Sequence, residues 1–425
     1  MSHHTIKSAY KRLEERLNRF PQKAPPSETL YKILMVLLNE KEAGLVAKLP
    51  IKPFNVQIAS RIWGISEREA QKVLVRLASK ALLLDMENNG EQQYILPPPM
   101  AGFFEFSLMR IREDIDQKLL SELFYQYLNV EEDFIKELFL GSETRLGRVF
   151  VQEAVLTNEN AIHILDFERV SEVIKASSAI GVSMCYCRHK MKHLELVCDA
   201  PPDVCLTLNK AAASLIKHEY ARRVGVPEAL EILSQVYEHN LVQCGENVRN
   251  NVSFICNCCG CCCEGLTAVR KFGILQPLHT TNYLPTVNPE HCTGCGKCLK
   301  ACPIEAIKLI PVNQASGKRN RVAVIDSGIC LGCGVCTRSC NKQSITLKRR
   351  EQQIITPANS VHRTVLMAIE KDMLPQLIFD NQAFASHRAM AAVLSVILKL
   401  PPLKQAMASK QIKSIYLDRL LSRLN

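Results

Sequence analysis

Between residues 291 and 341 the sequence reads HCTGCGKCLKACP and, after an insert, ICLGCGVCTRSCN. Each run is C-x2-C-x2-C-x3-C, formed by Cys292, Cys295, Cys298 and Cys302 and then by Cys330, Cys333, Cys336 and Cys340. Nothing else in the chain restricts its fold so tightly. Three thiols spaced by two residues on one loop can hold three corners of an iron–sulfur cube, whereas a zinc site ordinarily uses two separated C-x2-C pairs. Gly294, Gly296, Gly332 and Gly334 flank the middle thiols, where the backbone must turn sharply and can aim N–H groups at sulfur. Ile304, Ile307, Ile329, Leu331, Val335 and Ile345 can supply a dry shell, one of the controls on cluster potential.

These runs resemble the dicluster ferredoxin module, in which the fourth cysteine of each run ligates the other cluster. The resemblance implies two [4Fe-4S] clusters. One would be held by Cys292, Cys295, Cys298 and Cys340, the other by Cys330, Cys333, Cys336 and Cys302. One departure is visible: Pro303 follows the first run, but Asn341 stands where the second would have proline. AIKLI and VAVID, separated by the polar NQASGKRN, read as a strand pair, and SITLK supplies a further strand. The basic stretch 317–321 is either a docking surface for an acidic redox partner or a solvated turn.

The other eleven of the 19 cysteines lie between residues 181 and 265. Cys185 and Cys187 open the region in MCYCRHKMKH, Cys198 and Cys205 follow, and Cys244 precedes FICNCCGCCCEG. That last run carries Cys256, Cys258, Cys259, Cys261, Cys262 and Cys263. Six thiols in eight residues have no packing explanation, and thiolates so crowded need positive metal ions to neutralise them. Two arrangements fit. In one, Cys185 and Cys187 meet part of the 256–263 run to hold a third iron–sulfur cluster. In the other a Zn2+ site forms, which His189 or His193 could join. Apart from Cys244, all of these cysteines are candidate ligands. Arg188 and Lys190 would place positive charge beside the site, and surplus thiols would allow a redox-active or sulfur-carrying pair. His218 and His239, on a helical stretch over 209–239, read as surface or core residues.

The clustering of cysteines points to metal ligation in a reducing, low-oxygen cytoplasm rather than to a disulfide framework. The opening segment is polar and helical in pattern, without the apolar core of a signal peptide. The longest apolar stretch, around 389–400, is well short of the ~20 residues that span a bilayer. A soluble, cytoplasmic protein with no membrane span is therefore expected. The net charge is +11. Residues 1–100 contribute +5 (15 Lys and Arg against 10 Asp and Glu) and residues 346–425 contribute +7 (12 against 5). Such an excess suits acidic redox proteins or nucleic acid, or is simply a solvated surface.

In chain order, residues 1–20 form an amphipathic helix with Leu13, Leu17 and Phe20 on one face. Residues 28–100 read as a winged helix. Helices are expected over 29–39 and 55–63, the latter ended by Gly64, and a third opens at Ser66 with the S-x-x-E capping box to Glu69. A hairpin follows, turning at Asn89-Gly90. Arg68, Lys72, Arg76 and Lys80 could face DNA, although Glu67 and Glu69 would then face phosphates; the alternative is a protein-interaction module. Two or three helices are expected from 103 through 179, with aromatic residues in their core. The tail should be helical over 361–370, 374–384, 389–398 and 404–424.

The fold class is thus multidomain α+β. Its parts are an N-terminal helix with a winged helix (1–100), a helical middle (101–180), a cysteine-rich metal domain (181–284), the dicluster module (285–350) and a helical tail (351–425). Taken together, LPPPMAGFFEF, the M-C-x-C-R start and the C-N-C-C-x-C-C run resemble larger 4Fe-4S dicluster-domain proteins of anaerobic bacteria and archaea. No nucleotide fingerprint or hydrolase triad order is present, and an electron carrier needs neither. The leading expectation is an iron–sulfur electron-transfer protein exchanging electrons with a redox donor and acceptor. The alternatives are a redox-responsive transcription regulator and the electron-input subunit of a reductase.

Overall fold

The computed structural model describes residues 2–157, 164–312 and 321–378. The chain divides into two compact units, one made of Met1–Thr144 and the segment from Ala358, the other of Arg145–Pro357.

The first unit opens with the helix Ser2–Leu17. Leu13, Leu17 and Phe20 are buried as the periodicity requires, and the Tyr10 hydroxyl donates to the Leu38 carbonyl at 2.9 Å. The helices Glu28–Leu37, Val56–Trp63 and Glu67–Ser79 match the expected set. Gly64 closes the second of these at φ 68°, and Ser66 and Glu69 form the reciprocal capping box. The strands β1 (Leu84–Asn88) and β2 (Glu91–Ile95) pair antiparallel through a turn in which Asn89 and Gly90 both have positive φ. One helix, Glu40–Val46, was not expected; Asn39 and Glu42 give it a second capping box. Buried Glu42 also lies 3.4 Å from Arg76 Nε and 2.9 Å from Lys80 Nζ. Two of the four cations assigned to DNA contact are therefore held by an internal carboxylate.

The aromatic residues of the middle segment form core. Phe104 and Phe124 pack at 5.2 Å between centroids, and Tyr127 stacks on Phe134 at 5.0 Å. They ride on the helices Gln117–Tyr125 and Glu132–Leu140 and the turns beside them. The returning helix Ser360–Glu370 joins them, since Glu370 accepts from the Thr144 amide and hydroxyl, and Lys371 pairs with Glu137 at 2.7 Å. A further helix covers Leu374–Ile378. The helices expected over 389–398 and 404–424 lie outside the described residues.

The second unit contains a feature absent from the sequence reading, a six-stranded antiparallel sheet. Its strands are β3 (Gly147–Val149), β4 (Ile180–Met184), β5 (Asp203–Leu208), β6 (Arg222–Arg223), β7 (Val242–Glu246) and β8 (Phe254–Cys258). Their order is β3-β7-β8-β5-β4-β6. The helical expectation therefore stops at Leu140: β3 and the short helix Val170–Lys175 follow instead of helices through 179. Likewise 209–239 divides into helices Asn209–Lys217 and Val226–Glu238 with β6 between them. Strands such as β4 (IGVSM) and β7 (VQCGE) are buried on both faces and only five residues long, so the apolar spacing they carry is too brief to stand out as a period-2 signal.

In the ferredoxin-like segment β10 (Ile307–Pro311) pairs with β11 (Arg321–Ile325) as expected, Ile307 facing Ile325. The strand β12 (Ile345–Arg349) pairs with β9 (Tyr283–Val287), a partner the sequence did not suggest. Most of the basic loop 317–321 lies outside the described residues. Among the described residues no helix is long and apolar enough to cross a membrane.

Candidate metal centres

The two cysteine runs form loops that end in short helices, Lys297–Ala301 and Val335–Arg338, capped by Gly296 and Gly334. All four loop glycines adopt positive φ, from 65° to 86°. Gly332 has a second reason to lack a side chain: a Cβ there would lie 2.1 Å from the Tyr283 carbonyl oxygen.

These turns gather the thiols across the two runs. Cys302, Cys330, Cys333 and Cys336 line one cavity with Ile304, Ile307, Leu331 and Val335. Burial pushes the thiols of Cys302, Cys330, Cys333 and Cys336 upward, and for the last three repulsion from neighbouring cysteines adds to it. An apolar cavity framed by four thiols, each disfavoured as a free thiolate, fits a group that brings its own positive charge. Backbone amides point at the sulfurs as well; Ala306 N–H donates to Cys302 Sγ at 3.3 Å. In the other set Cys298 neighbours Cys292 and Cys295, and Cys340 packs against the apolar cluster containing Cys292 and Cys298. Cys340 Sγ lies 3.1 Å from the Ser344 hydroxyl.

Arg350 is a residue the sequence reading missed. Its guanidinium donates to the carbonyls of Cys330 at 2.7 Å, Thr281 and Tyr283, fixing positive charge beside the Cys330 thiol. Only its place at the end of SITLKRR, immediately before EQQ, hints at anything, and that context reads as surface.

Among the other eleven cysteines, strand register does the sorting. Cys256 and Cys258 share one face of β8, being two residues apart. Cys205 on β5 follows on from the Leu206–Ile255 pairing, and Cys244 on β7 is in register with Cys256. Cys185 and Cys263 cap the helices Tyr186–His193 and Glu264–Phe272. The result is a closed circuit of neighbouring thiols, Cys185, Cys187, Cys263, Cys258, Cys256 and Cys205, with Cys244 beside Cys258. Ionisation alternates around it. Neighbouring thiols hold Cys185 and Cys263 well below the usual thiol range and Cys256 at about 5, while Cys187, Cys258 and Cys205 are pushed up.

One cation answers this thiolate charge from within. Burial opposes the Arg188 guanidinium, but Cys185, Cys259, Cys205 and Cys258 outweigh it and hold the charge in place. Arg188 donates to the carbonyls of Pro201 at 3.0 Å and Asn257 at 2.8 Å, while its buried Nε–H has no hydrogen-bond partner. A buried orphan donor against a ring of thiols fits a site that takes an additional, acceptor-bearing group. Lys190 is fully buried and paired with Glu264 at 2.5 Å. His189 and His193 face each other, Nε2 to Nε2 at 3.1 Å.

The remaining cysteines, Cys198, Cys259, Cys261 and Cys262, gather separately, with every Sγ within 4.8 Å of every other. The turn that carries three of them abuts the ferredoxin-like segment. Gly260 sits so close to Pro303 that a Cβ would fall 2.1 Å from the Pro303 carbonyl oxygen, and Arg270 clamps the contact by bonding the Gly260 carbonyl and Glu305.

Loops, capping glycines and gathered thiols define an iron–sulfur module of the ferredoxin type, and residues 291–344 match the family of 4Fe-4S dicluster domains. Over 78 residues the chain is 35% identical to the ferredoxin-type protein NapG of Escherichia coli (strain K12), a match covering 17% of this chain and 34% of that protein. A 37-residue match to the NapG of Haemophilus influenzae is 51% identical and covers 8% of this chain and 13% of that protein. A 31-residue match is 55% identical to a component of the Na(+)-translocating ferredoxin:NAD(+) oxidoreductase complex of Acetobacterium woodii, covering 7% of this chain and 9% of that protein. The chain thus spans about a third of the length of the first of these relatives.

Proposed function

We propose that the whole chain is an iron–sulfur electron-transfer protein with two [4Fe-4S] clusters and a third redox centre at the buried thiol ring. Cys292, Cys295, Cys298 and Cys340 would hold one cluster, and Cys330, Cys333, Cys336 and Cys302 the other. Cys185, Cys187, Cys205, Cys256, Cys258 and Cys263 would hold the third group. When bound, such clusters supply one-electron chemistry, and the protein sets their spacing, potential and access. The Ile304, Ile307, Leu331 and Val335 side chains keep water from the Cys302 set. N–H groups and Arg350 stabilise its added negative charge, and Arg188 does the same at the ring.

The observation that carries this reading is the packing of Gly260 against Pro303, which sets the cysteine-rich turn against the residue following Cys302. The likeness to ferredoxin-type proteins supports a redox protein as donor or acceptor. The thiol-rich composition supports a cytoplasmic, low-oxygen setting. The winged-helix reading of 28–100 is better supported as a protein-interaction module than as a DNA reader, because Glu42 already engages Arg76 and Lys80.

Iron and acid-labile sulfide on anaerobically purified protein test the proposal. About twelve irons as clusters, falling to about eight in Cys185→Ser and Cys205→Ser variants, is the expected result. About eight in all three proteins would confine the clusters to the dicluster module and remove the third centre.

A further inference from the structure

The eleven cysteines of the sheet domain belong to two networks, not one. Cys198, Cys259, Cys261 and Cys262 form one group whose sulfurs are all mutual neighbours, and none of the ring thiols belongs to it. This group is also compact, with every Sγ within 4.8 Å of every other. Cys261 Sγ lies 3.7 Å from Cys262 Sγ, which lies 3.9 Å from Cys198 Sγ. A single tetrahedral ion with metal–sulfur bonds of about 2.3 Å places its sulfurs about 3.8 Å apart. The ligands of a cubane cluster sit on four separate irons and must stand farther apart than those around one ion.

We propose that Cys198, Cys259, Cys261 and Cys262 form a mononuclear tetrathiolate site for one thiophilic divalent ion, zinc or iron, distinct from the thiol ring. Four thiolates with no oxygen donor select such ions over magnesium or calcium. The four come from two loops. Cys198 follows the helix Tyr186–His193, and the other three lie in the turn after β8 that packs on Pro303. An ion there would tie the loop after the first helix to the turn that meets the dicluster segment. Cys261 is exposed, so the site opens to solvent and to incoming metal.

The inference stands whether or not the ring holds a cluster, because its readout is metal lost without sulfide. Zinc, iron and acid-labile sulfide are measured on the full chain and on Cys198→Ser and Cys262→Ser variants. One metal atom per chain should disappear in each, with sulfide unchanged, and whichever element falls identifies the ion. A parallel loss of iron and sulfide would make these cysteines cluster ligands, and unchanged metal would make them free thiols; either result overturns the site. Should the variants fail to fold, Co2+ exchange into the anaerobic wild-type holoprotein, with cluster iron and sulfide retained, decides the matter. One equivalent bound with the absorption of tetrahedral cobalt thiolate is expected, and its absence overturns the proposal.

Discussion

Arg350 shows how a single side chain can tune a centre without ligating it. It bridges three carbonyls and sets a positive charge beside Cys330. Replacing it with the neutral Arg350→Gln should lower the potential of the cluster associated with Cys330 by roughly tens of millivolts, because the reduced form carries more negative charge. Redox titration followed by electron paramagnetic resonance would check this, and an unchanged potential would mean that solvent already screens the charge. The dicluster segment was legible from cysteine spacing alone, since a C-x2-C-x2-C loop brings its three thiols together locally. Arg350 was not legible, because its importance comes from carbonyls 20 and more residues away in sequence. Lys190, close to Cys187 in sequence, has a buried partner that its sequence neighbours did not suggest, Glu264.

Among the secondary-structure elements, the turn after β8 depends on Gly260 having no side chain. Gly260→Ala would drive a Cβ into the Pro303 carbonyl, which is backbone and cannot rotate away. We expect about 1–3 kcal/mol of destabilisation from the overpacking. Electron exchange between the sheet domain and the dicluster segment should slow while iron content stays near wild type. Denaturant unfolding with rapid-freeze spectroscopy of the separate centres would test both, and an unaltered exchange rate would show that this contact is not the route. Helix starts with strong caps, such as Ser66–Glu69, were readable, as was the Asn89-Gly90 hairpin. The six-stranded sheet was not. β6 has only two residues, β3 has three, and β4 and β7 have five each, too few for their apolar spacing to separate strand from helix.

For the molecule as a whole, a net charge of +11 favours encounter with acidic partners. The rate of electron exchange with an acidic redox protein should fall by roughly tenfold as ionic strength rises from about 0.05 to about 0.5 M, while exchange with a neutral mediator stays constant. Stopped-flow kinetics would measure this; equal salt dependence for the two would mean that the positive charge only solvates the surface. Local spacing and composition were enough to reveal the dicluster loops, their glycines, the N-terminal helices and the hairpin. How those eleven thiols divide emerges only once the chain is folded. Cys205, Cys244 and Cys256 meet through the register of three strands, and a one-residue slip would turn each strand's thiols to the opposite face. Register is a property of the assembled sheet, and no stretch of the chain read alone contains it.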